Sequence, residues 1–300
     1  MATAFDVIII GGSYAGLSAA MALGRALRSV LIIDSGKPCN LQTPHSHNLI
    51  THDGEIPSNI AELALEQVLA YPTVVLKDGI AIDAAKLKDG FTILTADGET
   101  YTAKKLLFAT GLKDIMPDIP GFAECWGISV IHCPYCHGYE VRHQPTALLA
   151  NGEMAYEFGS LLTNWTSNLT IFTNGPSTLT TQQTEKLAQH KVSINQQFVS
   201  EIIHNKGYID SVVFANGDKL ELNAMYAKIG FEQHSTLPEQ LGCKLTEHGL
   251  IYVNEMQETS VEGIYAAGDN TTLMRSLSNA IAAGGKAGAM INHKLVKESF

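Results

Sequence analysis

The stretch FDVIIIGGSYAGLSAAMALGRALRSVLIID, residues 5–34, decides the fold. Asp6-Val7-Ile8-Ile9-Ile10 reads as a strand, because a short continuous apolar run suits a strand buried on both faces. Gly11-Gly12-Ser13-Tyr14-Ala15-Gly16 reads as a tight turn, Leu17 to Leu27 as an Ala-rich apolar helix, and Ser29 to Asp34 as a second strand. This strand–turn–helix–strand plan is the first half of a dinucleotide-binding fold. Its glycines let the backbone turn sharply and approach a pyrophosphate, which then sits on the helix N-terminus. Asp34 ends the second strand, where an acid accepts hydrogen bonds from a ribose. The middle glycine of the G-x-G-x-x-G pattern is Ser13, a small residue that keeps its N–H, so the site is expected to be weakened and not lost. The plainer alternative is an ordinary tight turn in an α/β protein.

A second signal lies far downstream. Thr259 to Asp269 is a short strand ending in Gly268-Asp269, followed by an Ala/Gly-rich helical run from Ser276 to Val296. An acid at a strand end beside a glycine can reach a sugar-like hydroxyl or a phosphate-linked group. The Ala109-Thr110-Gly111 turn adds a third element. Between them, Thr146 to Ala150, Asn151 to Ala155, Tyr156 to Trp165 and Asn168 to Thr173 repeat the strand–turn–helix–strand plan.

The chain has 300 residues, 45% of them hydrophobic and 17% charged, enough for two domains with sizeable cores. A formal net charge of -10 argues against nucleic acid and anionic membrane surfaces, where lysine and arginine supply the binding energy. No apolar segment is long enough to span a bilayer, and the N-terminus lacks the features of a signal peptide. A cytoplasmic protein is expected. Five cysteines, three of them scattered (Cys39, Cys125, Cys243), do not form a secreted disulfide framework. The scattered three read as inert small apolar residues.

The other two sit in His132-Cys133-Pro134-Tyr135-Cys136-His137-Gly138. Three chemistries fit. Redox-disulfide exchange uses a thiolate nucleophile, which flanking histidines could assist. Structural zinc needs four ligands, and no second C-x-x-C or H-x₃₋₅-H follows. C-x-x-C-H is also the literal haem-attachment motif, but an axial partner and export-linked maturation are not suggested. His45, His47 and His52 cluster in a loop with Asp53; a metal site is conceivable, and solvated loop histidines are the plainer reading.

These elements together resemble the low-molecular-weight thioredoxin reductases, in length and in order: dinucleotide turn, A-T-G turn, C-x-x-C, then Gly268-Asp269. The string Cys-Pro-Tyr-Cys-His-Gly-Tyr-Glu resembles the branch that includes fungal dithiol oxidases acting on epidithio natural products. The resemblance implies an α/β fold of two dinucleotide-binding, Rossmann-like three-layer domains, the second inserted into the first. Residues 1–116 and 246–300 would form the FAD domain, and 117–245 the inserted domain. FAD would be held by Gly11, Gly12, Ser13, Tyr14, Ala15, Gly16, Asp34, Ser35, Asn40, Ile80, Ala109, Thr110, Gly111, Gly268, Asp269, Ser276 and Leu277. Apolar alternation alone assigns Ile80 to the core. The N-terminus of the last helix, at Ser276, would point at the flavin, where its dipole favours a reduced, anionic ring; plain capping by Ser276 is the alternative. The terminal Phe300 would stack on the flavin, from its own or a partner subunit, as in some cyanobacterial relatives, or fray as chain ends do. Cys136 would be the flavin-proximal sulfur and Cys133 the interchange sulfur. His137 replaces the family's proton-donating Asp and would act near neutral pH, since an ordinary histidine titrates near 6.5; a structural hydrogen bond is the alternative.

The second dinucleotide plan departs from the family. Its expected first glycine is Ala150, and only Gly152 and Ala155 remain of the pattern. Glu153 and Glu157 add negative charge where a pyrophosphate would lie. No Lys or Arg occurs from His143 to Glu185, so nothing there can grip a 2′-phosphate. Thr173-Asn174 also lacks the acid that NADH would prefer. NADP(H) binding is therefore expected to be lost or much weakened, the alternative being a divergent loop. The expected function is FAD-dependent dithiol/disulfide exchange through Cys133 and Cys136, in a homodimer, with a thioredoxin-like protein or a small dithiol as substrate. Electrons would come from or go to a ferredoxin-like protein, another flavin, dioxygen or the dithiol itself. The rivals are a conventional NADPH-dependent thioredoxin reductase and a redox-sensing flavoprotein without turnover.

Overall fold

The computed structural model describes residues 3–300; residues 1 and 2, which open the first expected domain, lie outside the described residues. In chain order the first elements are β1 (Thr3–Ile10), α1 (Tyr14–Arg25), β2 (Val30–Asp34), α2 (Pro57–Leu69) and β3 (Val74–Asp78). Strands β4 (Ala81–Leu87), β5 (Gly90–Thr95), β6 (Thr100–Phe108) and β7 (Leu112–Asp114) follow. The middle of the chain holds α3 (Phe122–Cys125), β8 (Val130–Ile131), α4 (Pro134–His137), β9 (Thr146–Leu149), α5 (Gly152–Leu162), β10 (Leu169–Phe172), α6 (Thr181–Gln189) and β11 (Ser193–Asn195). Four more strands complete it: β12 (Val199–Asn205), β13 (Tyr208–Phe214), β14 (Lys219–Glu221) and β15 (Ala224–Ala227). The chain closes with β16 (Phe231–Gln233), α7 (Leu237–Gln240), β17 (Ile264–Ala266) and α8 (Leu277–Ser299).

The chain divides into two compact units. Among the described residues the first comprises 3–41, Pro57–Lys113 and Phe231–Phe300; the second comprises Gln42–Ile56 and Asp114–Gly230. Both units are α/β.

In the first unit a sheet runs β3-β2-β1-β6-β5-β4, with β17 also paired to β6. The pairs β1–β2, β1–β6, β2–β3 and β6–β17 are parallel, and β4–β5 and β5–β6 are antiparallel. Val7, Ile8 and Ile9 are completely buried, the apolar run serving both sheet faces. One face packs on α1, α2 and α8 through Leu17, Leu23, Val68 and Ile291. The other packs on α7 and the segment around Cys243 through Ile8, Leu31 and Phe108. Helix α8 lies along α1 at very short range. A side-chain carbon on Gly284 would fall 2.0 Å from the carbonyl oxygen of Ala15, which only glycine avoids.

In the second unit a parallel sheet runs β11-β10-β9-β15-β8, beside a three-stranded antiparallel sheet β12-β13-β14. Two clusters fill it, one around Phe122, Phe172 and Phe214, the other around Leu148, Phe158 and Tyr226.

The compact units and the sequence expectation differ at their edges. Residues 42–56 pack with the second unit, where the Gln42 side-chain amide donates to the carbonyl of Ala123 at 3.1 Å. Residues 231–245 pack with the first unit, because Leu237, Leu241, Cys243 and Leu245 are needed to cover the sheet face at Ile8 and Phe108.

Candidate active site

In the first unit the Gly11–Gly16 and Ala109–Gly111 turns leave paired strands at the same level, Ile10 being the partner of Phe108. Gly11 has φ +105°, and a side-chain carbon there would lie 2.2 Å from the Ala109 carbonyl oxygen. The backbones therefore touch. Helix α1 starts at Tyr14, earlier than the sequence suggested. Its N-cap, Ser13, makes no side-chain cap, and its first turn holds no acid, so its N-terminal amides suit an anion. Gly16 closes the turn against the Gly11 carbonyl oxygen, 1.9 Å from where a side-chain carbon would sit.

Asp34 closes the turn from the other side. Its Oδ1 accepts the Gly12 N–H at 3.0 Å and its Oδ2 accepts the Gly36 N–H at 3.2 Å. Beyond it Ser35, Lys37, Asp78, Gly79, Ile80, Ala96 and Asp97 line a cavity of about 330 Å³. Ile80 is 54% exposed, so alternation misassigned it to the core: it follows β3 after Gly79 instead of continuing the strand. Tyr14 turns inward, its hydroxyl donating to the Pro57 carbonyl at 3.1 Å, with burial holding its pKa above the ordinary value and Asn40 beside it. The Tyr14 hydroxyl is thus engaged by the Pro57 carbonyl of the same unit.

Gly268 adopts φ +97° against Ala15, and the Asp269 carboxylate lies 3.5 Å from Arg275 Nε. Ser276 caps α8, its hydroxyl accepting the Asn279 N–H at 3.2 Å, and Leu277 opens the helix. Phe300 leaves this site within its own chain. Helix α8 continues to Ser299, and its 23 residues carry the chain end about 34 Å from Ser276. It descends along α1, with Asn292 bonded to Arg28 at 2.7 Å, and Phe300 is fully exposed.

Sequence reasoning missed Asn270. It is completely buried, and its side-chain amide donates to the Phe108 carbonyl at 2.9 Å and to the Thr110 hydroxyl at 3.4 Å. It ties the A-T-G turn to the Gly268-Asp269 loop. Its only sequence signal is a polar residue directly after Gly-Asp.

In the second unit Cys133 and Cys136 form a disulfide, with Cα atoms 5.3 Å apart. Cys133 is the N-cap of α4, and Pro134 presets the first helical φ. The Cys136 N–H donates to Cys133 Sγ at 3.2 Å, so charge forming on that sulfur has a donor in place. Gly138 admits no side chain, since one would clash with the Pro134 carbonyl at 2.4 Å. Tyr135 meets Trp165 edge to face at 5.5 Å, and His132 stacks on Trp126 at 5.8 Å. Trp126 is itself held by Asp114 Oδ2 at 3.1 Å.

Burial, with a smaller effect of His47, pushes the His137 imidazole down to about 4. His137 is thus neutral near pH 7, with its proton-accepting nitrogen free of charge, and does not donate a proton as imidazolium there. This departs from the near-neutral titration expected from sequence. Cys125 and Cys243 are buried, whereas Cys39 is exposed, against the apolar role expected of it. Among the described residues no group of three or more His, Cys, Asp or Glu is arranged to hold a metal ion.

The turn between β9 and α5 is occupied by its own side chains. Asn151 Oδ1 accepts the N–H of Gly152 at 2.8 Å and of Thr178 at 2.9 Å. Its amide nitrogen donates to the Pro176 carbonyl at 2.9 Å. Glu153 stands in the first turn of α5 and accepts a bond from Gln183 at 2.6 Å.

Residues 5–284 match the pyridine nucleotide-disulphide oxidoreductase family. The thioredoxin reductase tcpT of Claviceps purpurea is 31% identical over 98% of this chain and 95% of its own length. The solved structure of TrxB from Bacillus anthracis is 32% identical, with a TM-score of 0.94 over 99% of this chain and all of that one. Thioredoxin reductase from Streptococcus pyogenes is 25% identical, with a TM-score of 0.90 and full coverage of both chains. No helix of the described residues is long and apolar enough to cross a membrane. The paired turns of the first unit, the Cys133–Cys136 disulfide of the second and these likenesses agree: the chain is an enzyme, a thioredoxin-reductase-like oxidoreductase that belongs to the pyridine nucleotide-disulphide oxidoreductase family.

Proposed function

We propose that this chain is an FAD-dependent dithiol/disulfide oxidoreductase that exchanges electrons between FAD and the Cys133–Cys136 pair, and from there with a thioredoxin-like protein or a small dithiol. The Cys133–Cys136 disulfide at the head of α4 is the observation that carries the reading. FAD fits the first unit. Its pyrophosphate would lie on the α1 N-terminus, its ribose at Asp34, its adenosine end along Ser35 and Ile80, and its ribityl chain near Asp269. Bound FAD supplies a two-electron store. The chain's own residues do the thiol chemistry. A substrate thiol gives its proton to neutral His137, and the thiolate attacks Cys133 Sγ. The Cys133–Cys136 bond breaks, and its electron pair leaves on Cys136. The second substrate thiolate attacks the mixed disulfide and releases Cys133. The substrate leaves as a disulfide, two electrons poorer, and the protein holds a dithiol.

The closed β9–α5 turn supports a protein without ordinary NADPH binding. As a further part of the proposal, the protein works as a cytoplasmic homodimer, with a dithiol, a ferredoxin-like protein, another flavin or dioxygen at the other end of the electron path. A second reading, a conventional NADPH-dependent thioredoxin-disulfide reductase, is favoured by the names of the relatives. Anaerobic mixing of the FAD-loaded protein with NADPH, NADH or dithiothreitol separates the two. Bleaching by dithiothreitol alone is expected. Bleaching by low-micromolar NADPH would establish the second reading, and dithiol bleaching without turnover by any acceptor would indicate a sensor.

A further inference from the structure

Both tryptophans of the chain lie against the redox segment, Trp126 through its stack on His132 and Trp165 through Tyr135. Trp165, in the loop between α5 and β10, is held from both sides. Its N–H donates to the Leu162 carbonyl at 3.0 Å, and its carbonyl accepts the His143 N–H at 2.8 Å. The neighbouring Thr166 hydroxyl donates to the Gln144 carbonyl at 2.8 Å. The indole is therefore a fixed wall, and the C-x-x-C turn rests on it at two points. The Tyr135 ring meets it edge to face at 5.5 Å. Gly138 has φ -66°, which any residue adopts, yet a side-chain carbon there would lie 2.9 Å from both Cδ1 and Nε1 of Trp165. The glycine admits the indole.

This contact does little for the core. Tyr135 is 63% exposed, and among the described residues neither ring belongs to the apolar clusters that fill the second unit. What it fixes is a peptide. The peptide joining Tyr135 to Cys136 carries the N–H that serves Cys133, and that N–H is shared. Its nitrogen lies 3.2 Å from Cys133 Sγ and 3.3 Å from the Cys133 carbonyl oxygen. With two acceptors so nearly equidistant, a small tilt of the peptide plane decides which one is served, because a hydrogen bond weakens steeply with angle.

We propose that Trp165 is a positioning residue of the dithiol exchange: through the Tyr135 ring and the Gly138 backbone it holds the 135–136 peptide so that the Cys136 N–H serves Cys133 Sγ as charge forms there. The inference rests on the exchange proposed above. In its second step the second substrate thiolate bonds the substrate sulfur carried on Cys133. The bond from that sulfur to Cys133 breaks, and its electron pair leaves on Cys133 Sγ. A backbone N–H aimed at this sulfur stabilises the thiolate, and one turned to the carbonyl does not.

The test is the alkylation of Cys133 by iodoacetamide in the FAD-loaded Cys136→Ser protein, which leaves that thiol unpaired and keeps the backbone N–H. The thiolate is the form that reacts, and peptide mass locates the site. FAD content and the urea midpoint are followed in parallel. Adding Trp165→Ala is expected to slow alkylation about fivefold at pH 6.5, through partial loss of one hydrogen bond to a charged sulfur. It should be no slower at pH 9.5, where thiols are ionised in both proteins. Trp165→Phe keeps a ring against Tyr135 and should stay within about twofold of the background at both pH values. Tyr135→Ala, at an exposed position that folding tolerates, should slow alkylation about twofold or more at pH 6.5 alone. It decides the matter if Trp165→Ala does not fold. Rates unchanged in both alanine variants, or slowed by one factor at both pH values, overturn the role of Trp165. The underlying exchange is read separately on the parent. If dithiothreitol does not open Cys133–Cys136, that reading fails; if it does and the alkylation rates do not move, only the role of Trp165 fails.

Discussion

Asn151 Oδ1 accepts the backbone N–H of Thr178 at 2.9 Å, so the turn after β9 is bridged to the loop after β10 by a side chain. In a dinucleotide site that space belongs to a pyrophosphate. Here it is spanned by neutral amide and hydroxyl groups, with Glu153 in the helix turn behind them. NADPH is expected to bind more weakly than roughly 1 mM, equivalent to about 4 kcal/mol of binding free energy. Calorimetric titration measures this directly, and saturation at micromolar NADPH would refute it.

Asp34 is tied to Gly12 and Gly36 by two backbone N–H groups. Asp34→Ala removes both acceptors and the group that would hold the ribose. FAD affinity should fall about tenfold or more, about 1.4 kcal/mol per factor of ten. FAD retained after ultrafiltration reports the loss. Undiminished retention would show that Asp34 does not hold the cofactor.

The α1–α8 contact has no spare volume at Gly284. Gly284→Val should destabilise the first unit by about 2 kcal/mol or more through overpacking. Chemical denaturation measures the change. A neutral substitution would mean that the helices separate at little cost.

His137 ties stability to pH. Its folded value is lowered by burial to about 4 from 6.5, so between those values the unfolded chain takes a proton that the folded chain refuses. The sign follows: this contribution is fully present above pH 6.5 and is lost as pH falls toward 4. Urea midpoints for the parent should drop from pH 7 to pH 5 more steeply than those of His137→Gln. Parallel profiles would mean that the imidazole is not buried as described.

The parts legible in the sequence were those set by local physics. Val7 to Ile10, the glycine turn and Asp34 announce a buried strand, a tight turn and an acid at the end of the next strand within one short window. The C-x-x-C stands out as a motif but left redox, zinc and haem chemistry open until the disulfide was seen, and Ser276 caps α8 as a serine at that position should. What escaped depends on contacts distant in sequence. Residues 45–53 look like a solvated loop, yet Gln42 binds the segment 42–56 to the redox unit. Asn270 has no periodic signal, because its value lies in joining Phe108 and Thr110, which only the folded sheet brings near. The depressed pKa of His137 comes from burial, which a motif does not encode. Phe300 was placed by resemblance, and the length of α8 removes it from the site in its own chain.

The central claim is that electrons pass between FAD and the Cys133–Cys136 pair. Anaerobic titration of the FAD-loaded protein with dithiothreitol, followed at the flavin absorption, tests it most directly. The parent should bleach, while Cys133→Ser and Cys136→Ser keep their FAD and stay yellow. Full bleaching of either variant at the parent's rate would contradict the account.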